Sequence, residues 1–436
     1  MSDLPKGWAA AHLSEVVTAR KGKKPKILLS EEKDGCIPYI LIDEMEGKPI
    51  RSFTNDISMP IASEKDILVV WDGSIGKTAT GLKGAIGSTI AALTPFLVET
   101  AYLESFIKFS KPYIEQTSRG TGLQHINPDY FWTLQVPLAP LTEQRRIVEK
   151  LEKLLHKVDD CKERLEKIPL ILKRFRQSVL AAACSGRLTA DWREKNKVSL
   201  EEWLKAKIGE IADMRLGKML DKAKNIGKPN HYIRNINVRW FSFELDNLSL
   251  MRAITKEKDE LSIKNGDLLV CEGGEPGRCA VWNLGKTDLI FQKAIHRIRP
   301  KENVSSQWIS FNMKNDADSG HLDDYFTGTT IKHLTGKSFA QYKISVPSFP
   351  EQQEIVRRVE AFFKKADEVE ARYKKAKAFV DRLAQSILAK AFRGELVPQD
   401  PNDEPASVLL NRIRAAKGKA IVTGKQTRGK KAIRSL

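Results

Sequence analysis

The chain writes one long phrase twice. "RFRQSVLAAACSGRL" at Arg174 returns as "RLAQSILAKAFRGEL" at Arg382, 208 residues on. The match begins at Glu143-Gln144, paired with Glu351-Gln352, and runs without a gap to Gly186 and Gly394. Ile147/Ile355, Val148/Val356, Glu152/Glu360, Asp159/Asp367 and Arg164/Arg372 are identical along the way. So are Arg174/Arg382, Gln177/Gln385, Ser178/Ser386 and Leu180/Leu388. A segment repeated at a fixed interval marks a chain built from related units. At 436 residues the chain also exceeds one ordinary core.

The repeated phrase is helical. Its apolar positions are Ile147, Leu151, Leu154, Val158, Cys161, Leu165, Ile168, Leu172, Phe175, Val179 and Ala182, in alternating steps of four and three. The second copy places Ile355, Val359, Phe362, Ala366, Val369, Tyr373, Ala376, Val380, Leu383 and Ile387 at the same spacing. A narrow heptad seam of this length predicts helices that pair with each other. At 1.5 Å per residue each helix spans roughly 60 Å. A globular segment lies between the copies, so the pairing is expected to be antiparallel. Gly186 and Gly394 stand where C-terminal caps fall, and Pro140 and Pro350 stand just before the helices. Pro169, replaced by Lys377 in the copy, predicts a kink in the first helix alone.

The stretches before the helices echo each other more faintly. "DILVVWDGSIGK" (from Asp66) parallels "DLLVCEGGEPGR" (from Asp267), each reading as a buried strand that runs into a glycine turn. "GTGLQHI" (from Gly120) parallels "GTTIKHL" (from Gly328), again 208 residues apart. The expected fold is α+β, with two globular domains joined by a pair of long antiparallel coiled-coil helices in a pseudo-two-fold tandem repeat. The boundaries are 1–140 for the first domain, 141–188 for the first helix and 189–349 for a linker and the second domain. The second helix takes 350–396. A basic tail, expected to be disordered, takes 397–436.

Composition narrows the classes. No apolar run approaches the ~18 residues a membrane helix needs. The opening "MSDLPKGW" lacks the basic and apolar regions of a signal peptide, so the expected location is the cytoplasm. The five cysteines form no C-x-x-C pair, which predicts reduced, structural thiols. The formal charge is +18, and the segment from Asn411 to Leu436 supplies nine Lys/Arg with no acid. Such a tail suits contact with polyanions.

A search for catalysis comes up short. "GSIGKT" (from Gly73) resembles a P-loop, but Trp71 stands where the first glycine is required. "NPDY" (from Asn127) has Asp129 where an adenine methyltransferase loop carries proline, and it reads as a loop. No hydrolase or zinc-protease motif is present. Among seven histidines only His125 and His333 correspond between the repeats.

What remains is a binding surface. The basic run "ARKGKKPK" supplies Lys21, Lys23, Lys24 and Lys26, and "MRLGK" supplies Arg215 and Lys218 in the corresponding place. The glycine turns offer Ser74, Lys77 and Arg278. The paired loops offer Arg119, Thr121 and Gln124, and Thr329, Thr330 and Lys332. "YIRNINVRWF" adds Arg234 and Arg239. Lysine supplies salt-sensitive phosphate contacts, and arginine and amides read base edges. In the helices, Arg174, Gln177, Arg382 and Gln385 fall off the apolar seam and are candidates for partner contacts.

These features together resemble the specificity subunit of type I restriction–modification enzymes. The resemblance rests on "LPKGW" at Leu4, "WDGSIGK" at Trp71, "PLAPLTEQRRIVEKLEKLL" at Pro137 and "ILKRFRQSVLAAACSGRLTADWR" at Ile171. "PEQQEIVRRVE" at Pro350 and "LAQSILAKAFRGELVPQDPNDEPASVLL" at Leu383 complete it. It implies two target recognition domains, each reading half of a split site in double-stranded DNA, with the paired helices setting the spacer between halves. It implies docking of two methyltransferase subunits and recruitment of restriction–translocase subunits. The subunit itself would be non-catalytic, with S-adenosylmethionine, ATP and Mg2+ on its partners. The second domain departs from the pattern at its opening, where "EEWLKAKIGEIADMRLGK" (from Glu201) fills the place of "LPKGW" loosely. A stand-alone methyltransferase or nuclease, or a scaffold without DNA contact, are the alternatives. Methyl transfer by the chain alone would mark the first, and absence of selective DNA binding the second.

Overall fold

The computed structural model describes residues 4–417 apart from Lys222 and Lys224. By packing, the chain divides into two compact units. One holds the described residues up to Leu165 and from Ala376 onward, and the other holds Glu166–Lys375. Each unit therefore owns one globular domain and a part of each long helix.

The two domains share a strand plan. In the first unit one four-stranded antiparallel sheet runs Val17–Lys21, Ile90–Pro95, Ile67–Val70, Thr78–Ala79. In the second unit the order is Ala212–Leu216, Ile295–Pro300, Leu268–Cys271, Cys279–Val281. The central strands Ile67–Val70 and Leu268–Cys271 are buried along their length, as their unbroken apolar runs predict. A second sheet in each unit contains one parallel pair, Ile37–Ile40 with Gly84–Ile86 and Lys228–Ile233 with Ile290–Phe291. A two-stranded ribbon closes each domain, Ala9–His12 with Gln135–Leu138 and Leu204–Lys207 with Lys343–Val346.

The long helices are Leu141–Cys184 and Phe349–Phe392, each of 44 residues. Pro169 lies inside the first without interrupting its span. Pro350 falls within the first turn of the second, where a missing N–H leaves no bond unmade. Gly186 and Gly394 cap the ends with φ of 76° and 74°, in the left-handed region that glycine adopts without cost. In the second unit the Arg176 guanidinium donates to Asp367 at 2.6 Å and Glu370 at 3.0 Å, and Phe175 meets Phe362 edge to face. Farther along the first segment, Arg358 donates to the Leu188 carbonyl and to Asp191. Val179 and Ala183, on the first helix itself, share a buried cluster with Val359 and Ile355, so rising numbers meet falling numbers and the segments run antiparallel. In the first unit Ile147, Leu151 and Val158 share a buried cluster with Val380, Ile387 and Leu388. Burying such side chains stabilises by about 1.5–3 kcal/mol each. Seam position does not guarantee burial: Cys161 and Val369 are exposed, and Phe175 keeps 38% of its surface.

The start of each helix is pinned to its domain in the same way. Glu143 accepts from the Trp8 indole at 3.0 Å, and Glu351 accepts from the Trp203 indole at 2.9 Å. The Gln144 amide donates to the Ala139 carbonyl and accepts from the Glu99 N–H. The Gln352 amide donates to the Pro347 carbonyl and accepts from the Ser305 N–H. Trp203 is thus the counterpart of Trp8, and the second domain opens at "SLEEW", Ser199–Trp203.

Two expectations need correction. The segment 397–417 is not a disordered tail, because residues 406–417 form a helix. Ala406, Leu409, Leu410 and Ile413 fall on one helical face and are buried in the first unit's core. Asp403 accepts from Arg146 at 2.6 Å, and Arg414 donates to Glu15 at 2.8 Å. The remainder of the basic tail, from 418, lies outside the described residues. "NPDY" is not a loop either: Pro128–Phe131 is a short helix with Asn127 as its N-cap and proline at its start. Its counterpart Gly336–Ala340 is capped by Thr335.

Candidate nucleic-acid interface

In the first domain three segments meet beyond the strand Ile67–Val70. Residues 119–125 form a loop closed by the main chains of Arg119 and His125, which bond each other at 2.9 and 2.8 Å. The Gly73 N–H donates to the Gln124 carbonyl, and Ile126 N–H to the Trp71 carbonyl, tying the loop to the glycine turn. The strand end supplies Lys21, whose ammonium donates to Asp72 at 3.0 Å and lies 5.8 Å over the Trp71 ring. His125 Nδ1 bonds the other Asp72 oxygen at 2.7 Å. Burial raises the Asp72 pKa, but the bonds from His125 and Lys21 outweigh it and hold the carboxyl below its usual range. Ser74, Thr121 and Gln124 stand exposed around this network.

The other candidates of this domain scatter. Lys23 donates to Ser58 at 3.0 Å, while the side chains of Lys24 and Lys26 face solvent. Arg119 pairs with Asp129 at 2.6 Å on the surface. Lys77 pairs with Glu46 in a hollow shared with Lys108 and Lys111.

The second domain repeats the frame and changes the groups it carries. Residues 327–333 form the matching loop, closed by Thr327 and His333 at 2.8 Å in both directions. Thr329, Thr330 and Lys332 are exposed on it, and Lys332 pairs with Asp323 at 2.7 Å. Leu334 N–H donates to the Glu272 carbonyl, the counterpart of the Ile126–Trp71 bond. Most of the cations singled out from sequence are engaged internally. Arg215 pairs with Glu260, and Lys218 with Glu257. Arg239 pairs with Glu244 at 2.8 Å. Arg234 donates to the Asn247 carbonyl at 2.7 Å. Arg278 donates to Glu275 and to the Asn235 carbonyl.

Sequence reasoning missed one group here. Met219, Leu220, Glu272, Gly273, Gln292, Lys293, Ala294 and His333 line a single cleft. Gln292 and Lys293 belong to no motif; only their place after the strand Ile290–Phe291, matching Gly87 and Ser88 after Gly84–Ile86, points to them.

A shared glycine fixes both tips. A Cβ on Gly22 would lie 2.0 Å from the Gly87 carbonyl oxygen, and one on Gly217 would lie 2.1 Å from that of Gln292. The backbones approach so closely that no side chain fits.

The four helix candidates differ in their surroundings. Arg174 is exposed, and Gln177 lines a groove with Arg176, Lys314 and Asp318. Arg382 donates to the Ala378 carbonyl in its own helix. The Gln385 amide donates to the Phe109 carbonyl at 2.8 Å, so it anchors the second helix to the first domain. Phe392, farther along the same helix, sits among Tyr102, Phe106 and Phe109, with ring centroids 5.3–5.5 Å apart.

Among the described residues no helix is long and apolar enough to cross a membrane. The model of the type I restriction modification DNA specificity domain matches this chain twice, at residues 5–170 and 200–377. The EcoKI specificity subunit of Escherichia coli (strain K12) is 30% identical, over 98% of this chain and 99% of that protein. The StySPI specificity subunit of Salmonella potsdam is 31% identical over the same shares. Among solved structures, the HsdS subunit from Thermoanaerobacter tengcongensis shares the fold with a TM-score of 0.59 at 19% identity, covering 90% of this chain and 98% of that one. Two matched domains, each opening on a tryptophan that locks the start of a long helix, and near full-length relatives lead to one assignment: the chain belongs to the family of type I restriction–modification DNA specificity subunits.

Proposed function

We propose that this chain is the DNA-reading subunit of a type I restriction–modification complex, acting in the cytoplasm. Each domain reads one half of a bipartite site in double-stranded DNA. The paired helices set the number of unread base pairs between halves and dock two methyltransferase subunits. Restriction–translocase subunits join the larger assembly. S-adenosylmethionine, ATP and Mg2+ bind those partners, and this subunit contributes no catalytic group. The observation that carries the reading is one frame used twice with different tips. Trp8–Glu143 and Trp203–Glu351 fix the two domains alike, while Asp72, Lys21 and Trp71 give way to Gly273, Leu216 and Glu272. Two unlike readers on one chain suit an asymmetric pair of half-sites, and their linkage raises the effective concentration of the second reader once the first has bound.

Recognition divides by chemistry. Lys23, Lys24 and Lys26 suit phosphate contacts, which position the protein without reading sequence. Thr121 and Gln124, and Thr329 and Thr330, stand on loops that suit base edges. Arg174, Gln177 and Arg382 remain the candidates for methyltransferase docking.

The test uses labelled S-adenosylmethionine and genomic DNA. With its methyltransferase subunits the chain directs methylation to a motif of two fixed halves and a fixed spacer; alone it transfers nothing. Transfer by the purified chain alone would overturn the reading. Deleting one heptad, Leu151 to Lys157, shortens the spacer and leaves both half-site sequences unchanged. Altered half-sites with an unchanged spacer would count against the role given to the helices.

A further inference from the structure

In the second unit three distant segments bring polar side chains to one cleft, and their main chains are locked together. Glu272 N–H donates to the Ala294 carbonyl at 2.9 Å, and Lys293 N–H to the Lys218 carbonyl at 2.8 Å. Gln292 N–H donates to the Ile233 carbonyl at 3.1 Å. The backbone is therefore a fixed platform, and the points from which these side chains project are held in place.

The side chains themselves have no bonded partner among the described residues, and the Glu272 charge acts only at a distance on the buried His296. Among the described residues, no hydrogen bond or ion pair engages the Glu272 carboxylate, the Gln292 amide, the Lys293 ammonium or the His333 ring. The cations nearby differ: Arg215, Lys218, Arg239 and Arg278 are all ion-paired.

We propose that this cleft is where the second domain reads bases, with Gln292 taking an adenine and Glu272 selecting a neighbouring base that carries an exocyclic amino group. The inference rests on the chain being a DNA specificity subunit and assigns residues to one of its two readers. A glutamine amide presents a donor and an acceptor side by side, which match adenine N7 and N6. A carboxylate close to phosphates is repelled unless it accepts a hydrogen bond, and on the major-groove edge only the amino group of cytosine or adenine supplies one. The same carboxylate rejects the keto oxygens of guanine and thymine, which is discrimination by repulsion. Lys293, exposed at the rim, offsets the local charge and suits a phosphate. His333 lies over Gly273, where a Cβ would come within 3.1 Å of its ring nitrogen.

The first unit has no such set. Trp71 replaces Glu272, Asp72 replaces Gly273, and Gly87 and Ser88 replace Gln292 and Lys293. Its histidine and its carboxylate are bonded to each other. The two half-sites are accordingly read with different groups.

The experiment maps methylated motifs in DNA exposed to the complex of this chain with its methyltransferase subunits. Gln292→Ala and Glu272→Ala each relax one position of one half-site, lowering discrimination there about ten- to a hundredfold. The other half-site and the spacer stay as they were. Glu272→Gln keeps the shape and adds a donor, so it extends recognition to a keto base at the same position. Gel filtration with the methyltransferase subunits checks that the variants assemble. Assembled variants that keep full discrimination at every position overturn the inference, as do variants that relax the half-site altered by Gln124→Ala in the first domain. A wild-type motif without two separate halves overturns instead the reading on which the inference rests.

Discussion

The Trp203 indole donates to the Glu351 carboxylate at 2.9 Å across 148 residues of sequence. The same carboxylate accepts from Arg193 at 2.6 Å and Thr189 at 2.8 Å, and its side chain is fully buried. Glu143 holds the matching place against Trp8 but has no such cation, and its second oxygen is buried without a partner. The positions corresponding to Thr189 and Arg193 are Val397 and Pro401. The repeat has kept the indole–carboxylate lock and let its surroundings diverge.

This difference predicts unequal substitutions. Glu351→Gln leaves the buried Arg193 without its counter-ion and costs about 3–5 kcal/mol. Glu143→Gln keeps an acceptor for Trp8 and strands no charge, so it costs about 1 kcal/mol or less. Denaturant unfolding of both variants measures this. Equal losses would remove the distinction.

Burial raises the Glu143 pKa above its ordinary 4.5, against the opposing bond from Trp8. A carboxyl with a raised folded-state pKa contributes stability that is full below the unfolded value and is lost as pH rises through the folded value. The contribution of Glu143 to the first unit is therefore expected to fall as pH rises from about 4.5 through its raised folded-state value. Glu143→Gln flattens that slope. Urea midpoints across the range for wild type and variant give the answer.

Phe392 locks the end of the second helix into three aromatic rings of the first domain. Phe392→Ala is expected to cost about 3–5 kcal/mol. The corresponding residue of the first helix is Cys184, half-buried beside the second core, and Cys184→Ala costs about 1 kcal/mol. Thermal unfolding distinguishes the two, and a larger loss for Cys184 would contradict the assignment.

Gly217→Ala places a methyl 2.1 Å from the Gln292 carbonyl oxygen, a clash with backbone that no rotamer relieves. It is expected to lower stability by about 1–3 kcal/mol or more and to misplace the Gln292 turn. Recognition of one half-site is lost while the other persists, which motif mapping reads directly.

Lys24 is exposed, with no bonded partner among the described residues. If it meets a phosphate, Lys24→Ala weakens binding alike for all sequences and reduces the slope of log affinity against log salt by about 0.9. An unchanged slope in a titration of the assembled complex rules that contact out.

The long helices were legible because heptad spacing is a local property. Side chains at steps of four and three fall on one stripe whatever lies elsewhere, and the glycines at 186 and 394 end it by their own backbone freedom. The strand-and-turn phrases at Asp66 and Asp267 were legible for the same reason. The opening of the second domain was legible only loosely, as the stretch from Glu201, since Trp203 is fixed as the counterpart of Trp8 by the carboxylate it reaches 148 residues away. The tail hid its helix because the sequence shows charge, while the buried face of Ala406, Leu409, Leu410 and Ile413 needs the first domain to cover it.

The surface divides likewise. Sequence alone marked the basic runs, the paired loops and the family they resemble. It did not show that Lys218, Arg278 and Gln385 are engaged inside the fold, nor that Glu272, Gln292 and His333 converge with free side chains. The repeat, the helices and the two-domain plan were set by local periodicity and by copying of sequence. Which cations are neutralised and which polar groups meet at one cleft was decided by tertiary structure, because those are contacts between segments far apart in the chain, and no local pattern carries them.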